Sequence, residues 1–435
     1  MIDAQNTPTF RQFLGVFARI GCLSFGGPAG QIALIHRELI DERQWLEEGP
    51  FLRALNFCHL LPGPEAQQLA TYIGWRMFGL RGGLAAGLLF IIPGALVMLA
   101  LSLLYVQATG LAGFEAAMAG VKAAVIAIVV QALIRIARRA LKTRAQVLLA
   151  IAAFVALFLF DLPFPIVIAV AALVGMLTGK TVDHASTSPS ASTSASTMFG
   201  QSIRAVLIGC LLWAAPVALI FATLGPDHVL AHVATFFSKL AVVTFGGAYA
   251  VLAYMAQAAV QDMGWLSAGQ MADGLGLAET TPGPLILVTQ FVGFLGAWNA
   301  PAPFTPTIAA ILASIIVLWV TFVPCFIWIF AFAPWIERLE HARRLHAALA
   351  GVTAAVVGVI ANLALWFALH VLFTRVTPFS AGPIHTQLPD VSSFDPVAAL
   401  LAAGAMILML RFNRGPVTVL GLAVLASVAL RLVLG

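Results

Sequence analysis

Charge is scarce in this sequence. Only 9% of its 435 residues are Asp, Glu, Lys or Arg, where a soluble domain carries roughly 25%. So little charge could not cover the surface of a water-soluble globule, which is therefore excluded. Cysteine is scarce too. Cys22, Cys58, Cys210 and Cys325 stand far apart, so there is no disulfide framework, zinc knuckle or redox CxxC pair. The sequence contains no HExxH and no GxSxG. No catalytic residues, metal site or cofactor are expected from it, and a membrane-embedded enzyme is disfavoured. Apolar residues are abundant, at 61%, with a mean hydropathy of +0.98. The net charge of +5 sits in short Lys/Arg clusters between apolar runs. That pattern marks membrane topology, not nucleic-acid binding. The polar start, and Arg19 inside the first apolar stretch, argue against a cleaved signal peptide.

A helix needs about 20 residues to cross the hydrocarbon core. Nine segments are read as spans: 83–107, 115–134, 145–160, 163–179, 203–224, 305–333, 346–373, 396–411 and 416–434. Segments 145–160 and 396–411 are the shortest candidates. Four more apolar stretches, 10–35, 50–80, 230–256 and 268–298, are broken by glycine and proline. The positive-inside rule places Arg76, Arg81, Arg135, Arg138, Arg139, Lys142, Arg144, Lys180, Arg204, Arg338, Arg343, Arg344, Arg411 and Arg414 on the cytoplasmic side, leaving Arg375 and Arg431 opposite. The N-terminus is then cytoplasmic and the Pro-rich loop 374–395 exterior. The Ser/Thr-rich stretch around 181–202 reads as a flexible cytoplasmic linker. It separates a first half, 1–180, from a connecting helix, 203–228, and a second half, 229–435.

The chain repeats itself. Ser24-Phe25-Gly26-Gly27 matches Thr244-Phe245-Gly246-Gly247, Trp45 matches Trp265, and Pro62-Gly63-Pro64 matches Pro282-Gly283-Pro284, all at an offset of 220. Beyond the Pro-rich stretch Asn299–Pro306 the offset becomes 231, where Pro93 matches Pro324. Parity of the spans and the charge pattern put the second half in the membrane upside down. The expected fold is an all-α polytopic membrane protein with an inverted-topology internal repeat and broken helices, of about 9–13 membrane segments.

Irregular backbone at membrane depth is tolerated only where it is buried in protein or lines a cavity. Gly26, Gly27 and Pro28, their partners Gly246 and Gly247, and the two Pro-Gly-Pro motifs should therefore interrupt helices. Helix starts there would aim N–H groups at an anion. Arg19 and Lys239 match at the offset of 220, and a cation within the bilayer is a site candidate. Gln67, Gln68, Thr280 and Thr281 are nearby donors. Glu65, His59 and its counterpart Glu279 are candidates for proton coupling or gating, with a helix cap the plainer role for Glu65. The run His36–Arg43 reads as a solvated loop, and Lys122 as a lysine snorkelling to the interface.

The motifs FGGPAGQIALIHRELIDERQWL, LPGPEAQQLATYIGW and GLRGGLAAGLLFIIPGAL, with TFGGAYAVLAYMAQAAVQDMGWLS, GLGLAETTPGPLILVTQFVGFLGAW and TFVPCF, resemble the two halves of the chromate ion transporter family. The resemblance covers roughly 10–180 and 230–373. It implies a long, two-domain inner-membrane protein that exports chromate and confers resistance, with sulfate as competitor or related substrate. Carried over by motif position, the site residues are Gly26, Gly27, Pro28, Pro62, Gly63, Pro64, Glu65, Gln68, Gly246, Gly247, Glu279, Pro282, Gly283 and Pro284. The sequence departs from symmetry in Ala248, where the first half has Pro28, and in Leu285, opposite Glu65. A sulfate or other oxyanion carrier of the same fold and a passive anion channel remain alternatives. The partners expected are chromate, sulfate and the lipid bilayer. Oligomeric state is open, with a homodimer among the options.

Overall fold

The computed structural model describes residues 8–178, 195–243, 245, 248–336 and 342–434. In chain order these form α1 (Phe10–Leu23), α2 (Gly27–His36) running into a π-turn (Arg37–Asp41), α3 (Glu48–His59), α4 (Glu65–Ala108), α5 (Ala112–Ala140), α6 (Arg144–Phe158), α7 (Phe164–Thr178), α8 (Ala195–Leu224) and α9 (Val229–Val243). Then follow α10 (Ala248–Gln257) with a π-turn (Ala258–Asp262), α11 (Ala268–Thr280), α12 (Val288–Asn299), α13 (Pro306–Phe332), α14 (Arg343–Leu372), β1 (Val376–Ala381), β2 (Ile384–Pro389), α15 (Pro396–Leu410) and α16 (Pro416–Leu434). The chain is an all-α polytopic membrane protein. Each of the nine expected spans is helical. Among the described residues, six helices are long and apolar enough to cross a bilayer. The other three, α6, α7 and α15, have 15 residues each, about 22 Å against a core of about 30 Å.

Local chemistry sets the helix starts. Thr9 with Gln12, and Thr143 with Gln146, form capping boxes for α1 and α6. Thr305 and Asp395 cap α13 and α15, each followed by a proline in the first turn. The Pro-rich loop 374–395 contains more order than its prolines suggested. β1 and β2 pair antiparallel around a two-residue Gly382-Pro383 turn, with Gly382 at φ +60°. Residues 181–194 of the expected linker lie outside the described residues, and 195–202 already belong to α8.

α4 is not one straight rod. Phe78 (φ −135°) and Gly79 (φ +61°, ψ −152°) leave helical geometry. A Cβ on Gly74 would lie 2.3 Å from the carbonyl oxygen of Gly82. Eight residues along a straight helix would separate them by about 12 Å, so the chain reverses there. In the second half, residues 300–305 connect α12 to α13 where the first half turns at Phe78–Gly79, and this connector lies where the offset changes from 220 to 231.

The repeat is also visible in backbone detail. Phe25 N–H donates to Leu23 O (2.9 Å) and Phe245 N–H to Val243 O (3.0 Å). Trp45 N–H donates to Leu39 O and Trp265 N–H to Ala259 O, both at 2.8 Å. Each half carries a π-turn just before that tryptophan.

Two compact units emerge, and each draws on both halves of the sequence. The first comprises Met1–Leu99, Gly179–Ala248 and Thr281–Ala347. Its core gathers Phe13, Phe17, Ile20, Ile35, Phe57, Leu69, Phe90 and Ile329. There α8 is clasped to α13 by reciprocal indole bonds, Trp213 Nε1 to Val320 O and Trp319 Nε1 to Leu212 O, both 3.1 Å. The second unit comprises Ala100–Thr178, Tyr249–Thr280 and Ala348–Gly435. In it α5 packs on α11, α15 and α16, the last at a close approach of Gly120 to Ala423. Such small-residue contacts are how helices approach in lipid.

Candidate functional site

The helix interruptions fall at the predicted motifs. α1 ends at Leu23, and Gly26 takes a left-handed conformation (φ 84°, ψ 27°) that favours glycine. Gly27 and Pro28 then open α2, whose N-terminus no side chain caps. Leu60–Pro64 separates α3 from α4, with Gly63 at φ +121° and Glu65 as the first, half-buried residue of α4. Thr281–Pro284 separates α11 from a 3₁₀ turn (Leu285–Leu287) leading into α12, again without a side-chain cap. Gly246 and Gly247 lie outside the described residues.

The structure joins breaks from opposite halves of the chain. Gly283 N–H donates to Ser24 O at 2.9 Å, and the buried Gln31 donates its Nε2 to Gly283 O at 2.7 Å. The first Phe-Gly-Gly break and the second Pro-Gly-Pro break thus satisfy each other's backbone. A second relation swaps the halves. A Cβ on Gly63 would lie 2.8 Å from Cys325 Sγ, and a Cβ on Gly94 would lie 2.0 Å from Pro282 O. Gly94 and Cys325 each follow a mid-helix proline, Pro93 or Pro324. Each Pro-Gly-Pro therefore packs on the proline-bearing helix of the other half.

Several buried side-chain oxygens here lack a hydrogen-bond partner: Ser24 Oγ, Gln67 Oε1, Gln68 Oε1, Gln290 Oε1 and Thr321 Oγ1. The amide nitrogens of Gln68 and Gln290 are committed to Pro62 O (2.7 Å) and Ala95 O (3.1 Å). The Ser24 and Thr321 hydroxyls are uncommitted donors, a type that suits an oxyanion. Thr281 is buried, while His59 is exposed at the end of α3.

The cations behave unequally. Arg19 on α1 pairs through Nε with Glu38 Oε1 at 3.4 Å, and its side chain is 54% exposed. Glu38 is fully buried and also meets Arg43 Nη1 at 2.5 Å. The run His36–Arg43 is therefore no solvated loop. It forms a π-turn that buries one carboxylate between two arginines. Lys239 on α9 is exposed, and at the 220 offset Glu38 becomes Ala258, so that ion pair does not recur.

The second unit holds buried acids on α11. Tyr249 donates to Glu279 Oε1 at 2.7 Å, and Tyr105 donates to Asp273 Oδ2 at 2.8 Å. Lys122, expected to snorkel, has its Nζ 3.8 Å from the same Asp273 oxygen. Sequence reasoning missed Ser24, Gln31, Glu38, Gly94, Cys325, Asp273, Tyr105 and Tyr249. A signal existed for some of them. Only four tyrosines occur in the chain, and two of them hold buried carboxylates. No group of three or more His, Cys, Asp or Glu side chains is arranged for a metal ion among the described residues.

Fold and site together define a multi-pass α-helical membrane protein whose broken helices pair within one compact unit, the kind of irregular backbone that accompanies a solute site. The chain belongs to the chromate transporter family, whose model matches residues 11–176 and 231–428. It is similar to the chromate transport protein of Pseudomonas aeruginosa, 35% identical over 356 residues, which are 81% of this chain and 79% of that protein. The chromate transport protein of Cupriavidus metallidurans is 27% identical over 430 residues, 98% of this chain and 95% of the relative. The probable chromate transport protein of Synechococcus elongatus is 28% identical over 354 residues, 81% and 83% of the two chains. No solved structure matches the chain.

Proposed function

We propose that this chain exports chromate across the inner membrane by alternating access, and so confers chromate resistance. Its two halves lie in the membrane with opposite orientation, and the N-terminus is cytoplasmic. The observation that carries this reading is the bonded pair of breaks, Ser24–Pro28 with Pro282–Pro284. It gathers uncapped helix starts and the uncommitted hydroxyl of Ser24, a setting that favours a tetrahedral oxyanion. Arg19 and Lys239 supply positive charge along the approach. Glu65, His59 and Glu279 are the gating candidates.

Energetics favour outward movement. An inside-negative potential drives anion exit by about 2.3 kcal/mol per charge per 100 mV, hence roughly 4.6 kcal/mol for the chromate dianion at 100 mV. Backbone amides and hydroxyls recognise shape and charge rather than the central atom, so sulfate competes for the same site.

The test is transport of labelled chromate and sulfate by purified protein in liposomes, with an imposed potential. Saturable chromate flux that rises with potential and is inhibited by sulfate is expected. Absence of flux, or non-saturating flux at channel rates, would overturn the reading. In everted vesicles, Arg19→Gln and Lys239→Gln should each slow chromate uptake. Wild-type rates at normal protein levels would remove both residues from the site.

A further inference from the structure

Asp273 is only 2% exposed, inside the second unit. Its Oδ2 accepts from Tyr105 at 2.8 Å and faces Lys122 Nζ at 3.8 Å. Its Oδ1 is buried and has no hydrogen-bond partner. An ionised carboxylate with one oxygen unsatisfied in an apolar interior carries a desolvation penalty that a single cation at this distance offsets only in part. Packing alone would be served as well by an apolar pair. Lys122 keeps its side chain one-third exposed, so the cluster is not sealed inside the unit.

The surroundings are otherwise poor in charge. From α5, Lys122 faces Asp273. Glu115 of α5 is paired with Arg431, the one charged residue of α16, at 3.8 Å. The end of α4 contributes Tyr105. Glu279 lies six residues further along α11, about 9 Å along the helix axis, and has its own tyrosine. Neither carboxylate has an acidic counterpart in the first half, where the matching positions are Arg53 and His59, both exposed on α3.

We propose that Asp273, held by Tyr105 and Lys122, is a proton-exchange site that couples proton movement to oxyanion transport. A hydronium ion supplies the proton: one of its O–H bonds breaks, one O–H bond forms on the unpartnered Oδ1, and a neutral water is left. With Asp273 ionised, the Asp–Lys pair is neutral. With Asp273 protonated, the positive charge of Lys122 stands alone and the unit gains one charge. A change of one charge in a buried cluster biases a two-state element, and here it links the state of the transporter to pH on one side of the membrane. The inference rests on the oxyanion-transport reading above.

The experiment uses full-length protein in liposomes containing a pH dye, with the potential clamped by potassium and valinomycin. Chromate flux and internal pH are recorded together. Wild-type protein is expected to move protons in fixed proportion to chromate. Asp273→Asn should lower that ratio at least tenfold, at whatever flux remains. Wild-type chromate flux without protons, or an unchanged ratio in Asp273→Asn, overturns the coupling while leaving the transport reading intact. Absence of wild-type chromate flux overturns the transport reading itself, and the coupling with it. Tyr105→Phe covers the case in which Asp273→Asn fails to fold. Loss of the hydroxyl that stabilises the charged carboxylate should move the pH midpoint of flux upward by about one unit. A rate that falls with an unmoved midpoint marks Tyr105 and Asp273 as structural and overturns the proposal.

Discussion

Gly94 and Pro282 touch so closely that a Cβ on the glycine would stand 2.0 Å from the proline's carbonyl oxygen. The residues are 188 positions apart and belong to opposite halves of the repeat. Their relation is mirrored by Gly63 against Cys325, where the added Cβ would lie 2.8 Å from sulfur. A helix carrying a proline in its interior can thus serve as the seat for the other half's interruption.

Gly94→Ala should therefore force α4 and the Pro282–Pro284 break apart. Overpacking of this kind costs about 1–3 kcal/mol. The expected outcome is a lower unfolding temperature in detergent and slowed transport. Gly113→Ala is the control, since an added methyl there meets nothing within 4 Å, and it should leave both unchanged.

Gln31 holds the carbonyl of Gly283 from 2.7 Å in a buried setting. Gln31→Leu removes the donor and leaves that oxygen dry. A buried unsatisfied acceptor costs about 1–3 kcal/mol. Thermal unfolding should report that loss, and chromate affinity in liposomes should weaken with it because the two breaks lose their register.

Arg19 and Arg43 make a useful contrast. Arg19 is half exposed, so solvent screening limits its stability contribution to about 1 kcal/mol or less. Arg43 is the closer and more buried partner of Glu38. Its loss strands a buried carboxylate, at a cost of about 3 kcal/mol. Denaturation of the two Gln variants should show this order. A transport defect in Arg19→Gln would then be functional rather than a consequence of unfolding.

The proposed inverted orientation of the two halves predicts opposite accessibility of two aligned loops. Cysteines placed at Lys142→Cys and Thr374→Cys, in a chain whose exposed Cys22 and Cys210 have been replaced by serine, should react with a membrane-impermeant maleimide from opposite sides. Reaction from the same side would end the inversion.

Asp161, in the turn between α6 and α7, accepts from Gln257. Burial holds its carboxyl above the usual aspartate range, nearby Asp262 adds to the effect, and His385 opposes it. A carboxyl raised in the folded state contributes stability that is fully present below the unfolded value of about 3.9. That stability is lost as pH rises through the higher folded value. Asp161→Asn should flatten the pH dependence of unfolding across this window. Its backbone sits at φ +48°, which asparagine tolerates.

Much of the architecture could be read along the chain. Apolar runs of span length, the scarcity of charge and the paired Phe-Gly-Gly and Pro-Gly-Pro motifs are local signals, and helix formation and interruption are local events. The short helices α6, α7 and α15 were legible for the same reason. The hairpin β1–β2 was hidden by the prolines that flank its turn. The burial of Glu38 was hidden because a run of charges looks solvated unless one knows what packs over it.

The amino-acid sequence by itself determined that the chain is a helical membrane protein, that it is built twice, and where its helices stop. It could do so because backbone hydrogen bonding in an apolar medium leaves a residue such as Gly63 or Pro282 few alternatives. Only the tertiary structure decided which interruption meets which. The bond from Gly283 to Ser24, the seat of Gly63 on Cys325 and the tyrosines on Asp273 and Glu279 join positions 30 to 262 residues apart. Such pairings follow from the packing of whole helices, which no local pattern encodes.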